Sequence, residues 1–101
     1  MEIRNGTYCI YVHTNKINGK MYVGQTIYGN NPNERWKNGK GYRGCDYFYH
    51  AIQKYGWDNF EFEPICSCSD IETLNKLETY FIKQYNTIKE GYNMCLGGDN
   101  N

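Results

Sequence analysis

Long apolar runs are missing from this chain. No stretch approaches the roughly 20 apolar residues that a membrane-spanning helix requires, so no membrane partner is expected. Met1-Glu2-Ile3-Arg4-Asn5 turns polar at once, without the apolar segment of a secretory leader. Net charge is missing too: 11 Lys/Arg face 11 Asp/Glu, which argues against a strong free-standing polyanion binder. Five cysteines are an odd number, and they are scattered apart from Cys66-Ser67-Cys68. That pattern offers neither a disulfide framework nor the paired CxxC spacing of a zinc site. Reduced thiols in a soluble intracellular protein are the expectation.

The charge that is present is segregated. Residues 1–54 hold eight Lys/Arg and three Asp/Glu, a net of +5, and residues 55–101 hold three and eight, a net of −5. A basic half suits phosphates while the acidic half faces away or supplies a metal ligand. A chain of 101 residues builds one small core, so residues 1–101 are expected to form a single domain.

Thr7 to Thr26 reads as a hairpin. Strands at about Thr7–His13 and Lys20–Gln25 flank Asn18-Gly19, a strong turn signal. Alternation places Tyr8, Ile10 and Val12 on one face and Cys9, Tyr11 and His13 on the other. A two-residue turn sets Tyr22 opposite Asn15, sharing a face with Tyr11 but ~13 Å along the strand from it. A three-residue bulged turn puts the two tyrosines on opposite faces. Bringing both to one site therefore calls for a bulge, a strong twist or an irregular turn near Asn15–Gly19.

Beyond the hairpin, Pro32 to Lys37 reads as a short helix opened by Asn31 and Pro32. Asn38 to Gly44 reads as a flexible basic loop. Asp46 is positioned to cap a helix over about Tyr47–Tyr55, with Phe48, Ala51, Ile52 and Tyr55 on one apolar face and Gly56 as its stop. Asn59 to Ile65 alternates as a third strand, with Phe60 and Phe62 inward and Pro64 favouring an end or an edge. Ser69 and Glu72 form a capping box for a long helix to Tyr85. Its stripe is Ile71, Leu74, Leu77, Phe81, Ile82 and Tyr85, and Glu78 falls in the middle of it. A carboxylate there has to be paired, protonated or bound to a metal. Gly91 to Gly98 reads as a turn-rich closing segment. The order predicts an α+β domain with a small three-stranded, mostly antiparallel sheet flanked by helices.

Taken in order, these segments resemble the GIY-YIG nuclease family, as in homing endonucleases of that kind. Cys9-Ile10-Tyr11 stands where the family has Gly-Ile-Tyr, with Cys9 replacing the glycine, and Tyr22-Val23-Gly24 stands for Tyr-Ile-Gly. Glu34-Arg35-Trp36 resembles the arginine segment, and Lys54-Tyr55-Gly56 with Asn59-Phe60 the approach to the third strand. Glu78 matches the helix glutamate, and Gly91-Tyr92-Asn93 with Gly97-Gly98 the closing motif. The resemblance implies a DNA endonuclease in which Tyr22 is the general base, Tyr11 positions the water or phosphate, and Asn93 and Gly24 support the site.

The residue types suit that chemistry. Arg35 offers a planar fork of donors to a phosphate. Magnesium (or manganese) often takes only one or two protein carboxylates and fills its shell with water and phosphate oxygens, so Glu78 alone is enough. Free tyrosine has a pKa of about 10, so Tyr22 needs nearby positive charge to ionise, from Arg35 or the metal. Lys37, Lys40 and Arg43 are candidate phosphate contacts, and Gln25 and His50 are further DNA-binding candidates. For each of these the alternative is an ordinary solvated position. His13 either assists proton transfer or is a polar edge residue. The chain is expected to be either a catalytic domain targeted by a separate DNA-binding domain or a small stand-alone nuclease, and double-strand cleavage would need a dimer partner or sequential nicking. The rival functions are a non-catalytic nucleic-acid-binding module of the same fold and, third, a zinc-dependent interaction domain.

Overall fold

The computed structural model describes residues 8–27 and 42–94. Its frame is three strands, β1 (Tyr8–Asn15), β2 (Met21–Ile27) and β3 (Phe60–Cys68), in the order β2-β1-β3 with both pairings antiparallel. Helix α1 (Asp46–Tyr55) precedes β3; α2 (Ile71–Tyr85) and the short α3 (Thr87–Glu90) follow it. This is the expected α+β architecture, and the sheet is antiparallel throughout the described residues.

The central strand β1 is buried on both faces, and its alternation sorts the core into two layers. On one face Tyr11, Tyr22 and Tyr42 pack with Phe48, Ala51 and Ile52 of α1 and with Tyr92. On the other, Ile10, Val12 and Val23 pack with Leu74 and Ile82 of α2. Each buried Ile, Val, Leu or Phe side chain among them contributes about 1.5–3 kcal/mol by leaving water. No helix among the described residues is long and apolar enough to cross a membrane.

The hairpin register differs from the two-residue turn. Asn15 N–H bonds the Lys20 carbonyl at 2.9 Å, leaving Lys16 to Gly19 as the loop, with Gly19 at φ +76°. The Asn15 and Asn18 side-chain oxygens accept from the backbone N–H groups of Ile17 and Lys20, both at 2.9 Å. These local bonds hold a wider turn than Asn-Gly alone demands. Tyr22 accordingly lies opposite His13, not Asn15, and Tyr11 lies opposite Gly24. A shift of two residues preserves the face, so both tyrosines point the same way.

The bulge falls elsewhere, between β1 and β3. Ile10 pairs with Cys66 and Tyr11 with Pro64, so Ile65 is the extra residue. It switches the strand's parity. Phe60 and Phe62 pack into the α1 layer, whereas Cys66 and Cys68 pack into the α2 layer. Pro64 sits at this irregularity on an edge strand, where a missing N–H is tolerated.

Both helix starts shift by one residue. Cys45, not Asp46, is the N-cap of α1, and no side chain caps it. Asp70, not Ser69, caps α2, accepting from Thr73 N–H at 2.8 Å and from the Thr73 hydroxyl at 2.9 Å. A carboxylate at the cap also meets the positive end of the helix dipole. Gly56 ends α1 at φ +88°, as its position in the sequence implies. The short helix at 32–37, the loop residues 38–41 and the closing Gly97-Gly98 lie outside the described residues.

Candidate active site

The antiparallel pairing carries Tyr11 and Tyr22 onto the α1 face of the sheet, and the turn leading into α1 adds Tyr42. The Tyr42 hydroxyl lies 2.7 Å from the Tyr11 hydroxyl and 3.0 Å from His13 Nε2. Tyr22 packs edge-on to Tyr42 with ring centroids 5.4 Å apart, stacks on Phe48 at 4.5 Å, and points its hydroxyl at Cys45 Sγ, 3.6 Å away. The cluster is a nearly dry aromatic box with its hydroxyls gathered inside it.

Gly24 makes room for this arrangement. A β-carbon there would fall 2.5 Å from Cζ and from the hydroxyl oxygen of Tyr11. Asn93 supports β2 from its open edge: its side-chain oxygen accepts from Val23 N–H and its amide donates to the Val23 carbonyl, both at 2.9 Å. Tyr92 N–H bonds the Met21 carbonyl at 2.9 Å, while its hydroxyl accepts from the amides of Asn15 and Asn18 at 3.0 and 3.2 Å. The Tyr92-Asn93 pair thereby ties the strand edge to the hairpin turn.

Glu78 is 2% exposed on α2, four residues from both Leu74 and Ile82. Its charge reaches Tyr22. Burial, above all, pushes the Tyr22 phenol far above the ordinary tyrosine value, and Tyr11, Cys45 and Glu78 push in the same direction. With only the described residues around it, Tyr22 is a neutral phenol. His13 is the opposite case: burial holds its ring neutral, lowering the pKa to about 3 despite the Glu61 backbone carbonyl.

Arg35, Lys37 and Lys40 lie outside the described residues. Arg43 and His50 are exposed, beside Tyr42 and on α1 respectively. Gln25 pairs with Ile10, which places it on the α2 face rather than with the tyrosines. Cys9, Cys45, Cys66 and Cys68 are free thiols. Tyr42 was not legible as a site residue, because Gly, Lys and Asn around it read as a solvated loop. It is 4% exposed. The available signal was an aromatic residue among residues that have nothing to bury.

A family model described as the GIY-YIG catalytic domain matches residues 7–93. The chain belongs to the GIY-YIG family. This GIY-YIG domain is 34% identical over 98 residues to "Putative endonuclease segD" of Enterobacteria phage T4. That alignment covers 93% of this chain but 40% of the relative, so the chain spans well under half of that protein's length. Among solved structures, a mutant of the catalytic domain of the intron endonuclease I-TevI matches the GIY-YIG domain with a TM-score of 0.75 and 23% identity, covering 91% of this chain and 97% of that one. A second structure, the catalytic domain of the homing endonuclease I-TevI, gives 0.72 and 22%, covering 87% and 98%. At such identity the likeness is one of fold, and it agrees with the three-stranded antiparallel sheet and flanking helices described above.

Proposed function

We propose that this GIY-YIG domain is a metal-dependent DNA endonuclease that hydrolyses phosphodiester bonds. The observation that carries the reading is the convergence of Tyr11 and Tyr22 on one face of the sheet, with the buried Glu78 carboxylate in electrostatic reach of Tyr22. The donor set fits a divalent cation of the magnesium or manganese kind. Among the described residues no three His, Cys, Asp or Glu side chains form a protein cage. A cation held by Glu78 would complete its shell with water and phosphate oxygens, the habit of magnesium. When bound, it would neutralise charge at the phosphate and the leaving oxygen.

The chain's own residues supply the rest. Arg35 is the residue assigned to fork onto the phosphate, and it would supply positive charge to the site. Tyr22 needs that charge, because burial otherwise keeps its proton on. As a phenolate it accepts the proton of the attacking water while the P–O bond to the leaving oxygen breaks. The leaving oxygen takes a proton from solvent. Tyr11 holds the water in line, and Lys37, Lys40 and Arg43 meet neighbouring phosphates. Targeting comes from a separate DNA-binding segment, and double-strand cleavage needs a dimer partner or sequential nicking.

The deep burial of Tyr22, 5% exposed, is the observation that favours the rival, a non-catalytic nucleic-acid-binding module. Nicking of supercoiled plasmid with and without magnesium separates the two readings. Wild type is expected to nick only with the cation, and Glu78→Gln, Tyr22→Phe and Arg35→Ala are expected to be folded and inactive. Equal nicking by wild type and Glu78→Gln overturns the metal-ligand assignment. DNA binding without nicking by wild type establishes the rival.

A further inference from the structure

We infer that Cys45 is the positioning residue for Tyr22, holding its hydroxyl through a hydrogen bond that serves both the phenol and the phenolate. This rests on the endonuclease reading, in which Tyr22 passes between those two forms.

The start of α1 grips Tyr22 twice. Phe48 stacks flat on its ring, with centroids 4.5 Å apart and planes 5° apart, and Tyr42 closes it edge-on at 5.4 Å. Three residues before Phe48, Cys45 places Sγ 3.6 Å from the Tyr22 hydroxyl. Among the described residues this is the one hydrogen bond of that hydroxyl. The backbone holds the sulfur in place: Cys45 N–H bonds the Tyr42 carbonyl, and the Cys45 carbonyl accepts from Tyr49 N–H, both at 2.8 Å. Cys45 is the N-cap of α1, yet its side chain makes no capping bond and meets Tyr22 instead. Tyr22 is 5% exposed, so water has little access to replace a missing partner.

A base in so dry a place needs a partner that suits both of its forms. The phenol has a proton to place, and the phenolate has a charge that calls for a donor. A carboxylate only accepts, and a backbone N–H or an ammonium only donates, so each suits one form and leaves the other unpaired. A neutral thiol does both. Its sulfur accepts from the phenol, and rotation about Cβ–Sγ turns its S–H onto the phenolate. Either atom can be the donor across the 3.6 Å contact, and that freedom is its function. Cys45 keeps its own proton throughout, and no bond at sulfur forms or breaks.

The S–H stretch in the infrared reads the contact directly. The Cys45 component is identified by its loss in Cys45→Ser. It should shift in Tyr22→Phe, which keeps the ring and its stacking; an unshifted band overturns the inference. Plasmid nicking is the second readout. Cys45→Ser replaces the thiol by another group that donates and accepts, and should keep kcat close to wild type. Cys45→Ala and Cys45→Val offer neither, and should lower kcat about 10-fold or more with KM unchanged. Cys45→Val fills the space without the polar group, so a wild-type rate in that variant overturns the inference. A Cys45→Ser rate as low as that of Cys45→Ala overturns it as well. A wild type that does not nick removes the endonuclease reading, while the S–H band still decides the contact. The band also decides it if the Ala and Val variants do not fold.

Discussion

Gly24 lies opposite Tyr11 across the β1–β2 pair, and the Tyr11 ring fills the volume that a side chain at Gly24 would take. The last residue of the second tripeptide thus serves the last residue of the first. A methyl group at Gly24 has to expel a buried ring from a packed aromatic layer. Gly24→Ala should destabilise the fold by about 1–3 kcal/mol, the range for overpacking. It should also reduce nicking by displacing the Tyr11 hydroxyl. Urea midpoints beside initial nicking rates check both effects.

Asn93 pairs both polar groups of Val23, and no shorter or apolar side chain can. Asn93→Ala leaves a buried N–H and a buried carbonyl at the strand edge, at about 1–3 kcal/mol for each unpaired group. Asn93→Asp keeps an acceptor for the N–H but opposes the carbonyl, so its loss should be no smaller. Equilibrium denaturation orders the variants, and amide exchange should locate the loosening at β2.

The buried histidine makes stability depend on acidity. The His13 pKa is lowered from 6.5 to about 3 in the folded chain. Between those values the unfolded chain binds the extra proton, so the contribution is complete above pH 6.5 and is lost as the pH falls toward 3. The limiting slope is about 1.4 kcal/mol per pH unit for one proton. Unfolding free energies at pH 7, 5.5 and 4 should fall along that slope, less steeply in His13→Gln.

Chelation should be reversible in its effect. EDTA is expected to abolish nicking, with magnesium or manganese restoring it in wild type and neither restoring it in Glu78→Gln. Restoration of the variant would move the cation to other ligands. Circular dichroism should show the fold unchanged by EDTA, because the core is built from the two packed layers and not around the ion.

Arg43 is exposed beside the buried Tyr42. If it meets a phosphate, Arg43→Ala weakens DNA binding at every sequence and lowers the slope of log affinity against log salt by about 1. Anisotropy titrations at several salt concentrations measure that slope. An unchanged slope returns Arg43 to the solvated surface.

Much of the fold was legible because local patterns carried it. The apolar face of α1, the Gly56 stop and the middle of the α2 stripe follow from helical periodicity and from a glycine's tolerance of positive φ, whereas Ile71 and Tyr85 at the two ends of that stripe are exposed, beyond the reach of the sheet. Cap positions slipped by one residue because Ser69 and Asp70 are both competent caps. Nothing local chooses between them until Asp70 reaches Thr73. The parity switch in β3 left no mark on a sequence that alternates plausibly with or without Ile65 as an extra residue.

The chain by itself determined which chemical groups are available: two tyrosines in paired tripeptides, a carboxylate inside an apolar stripe, an arginine in a basic half and a closing asparagine. It determined the helices and strands that carry them, since short-range periodicity and capping are local energies. Register was decided by the local Asn15 and Asn18 turns together with the Tyr92 anchor, and the anchor is a tertiary contact, since Asn15 and Tyr92 lie 77 residues apart in the chain. The partnership of Tyr11, Tyr42 and His13 was decided only in three dimensions. A hydroxyl on a polar loop becomes part of a site only when the sheet and α1 bury it and leave it no water to bond.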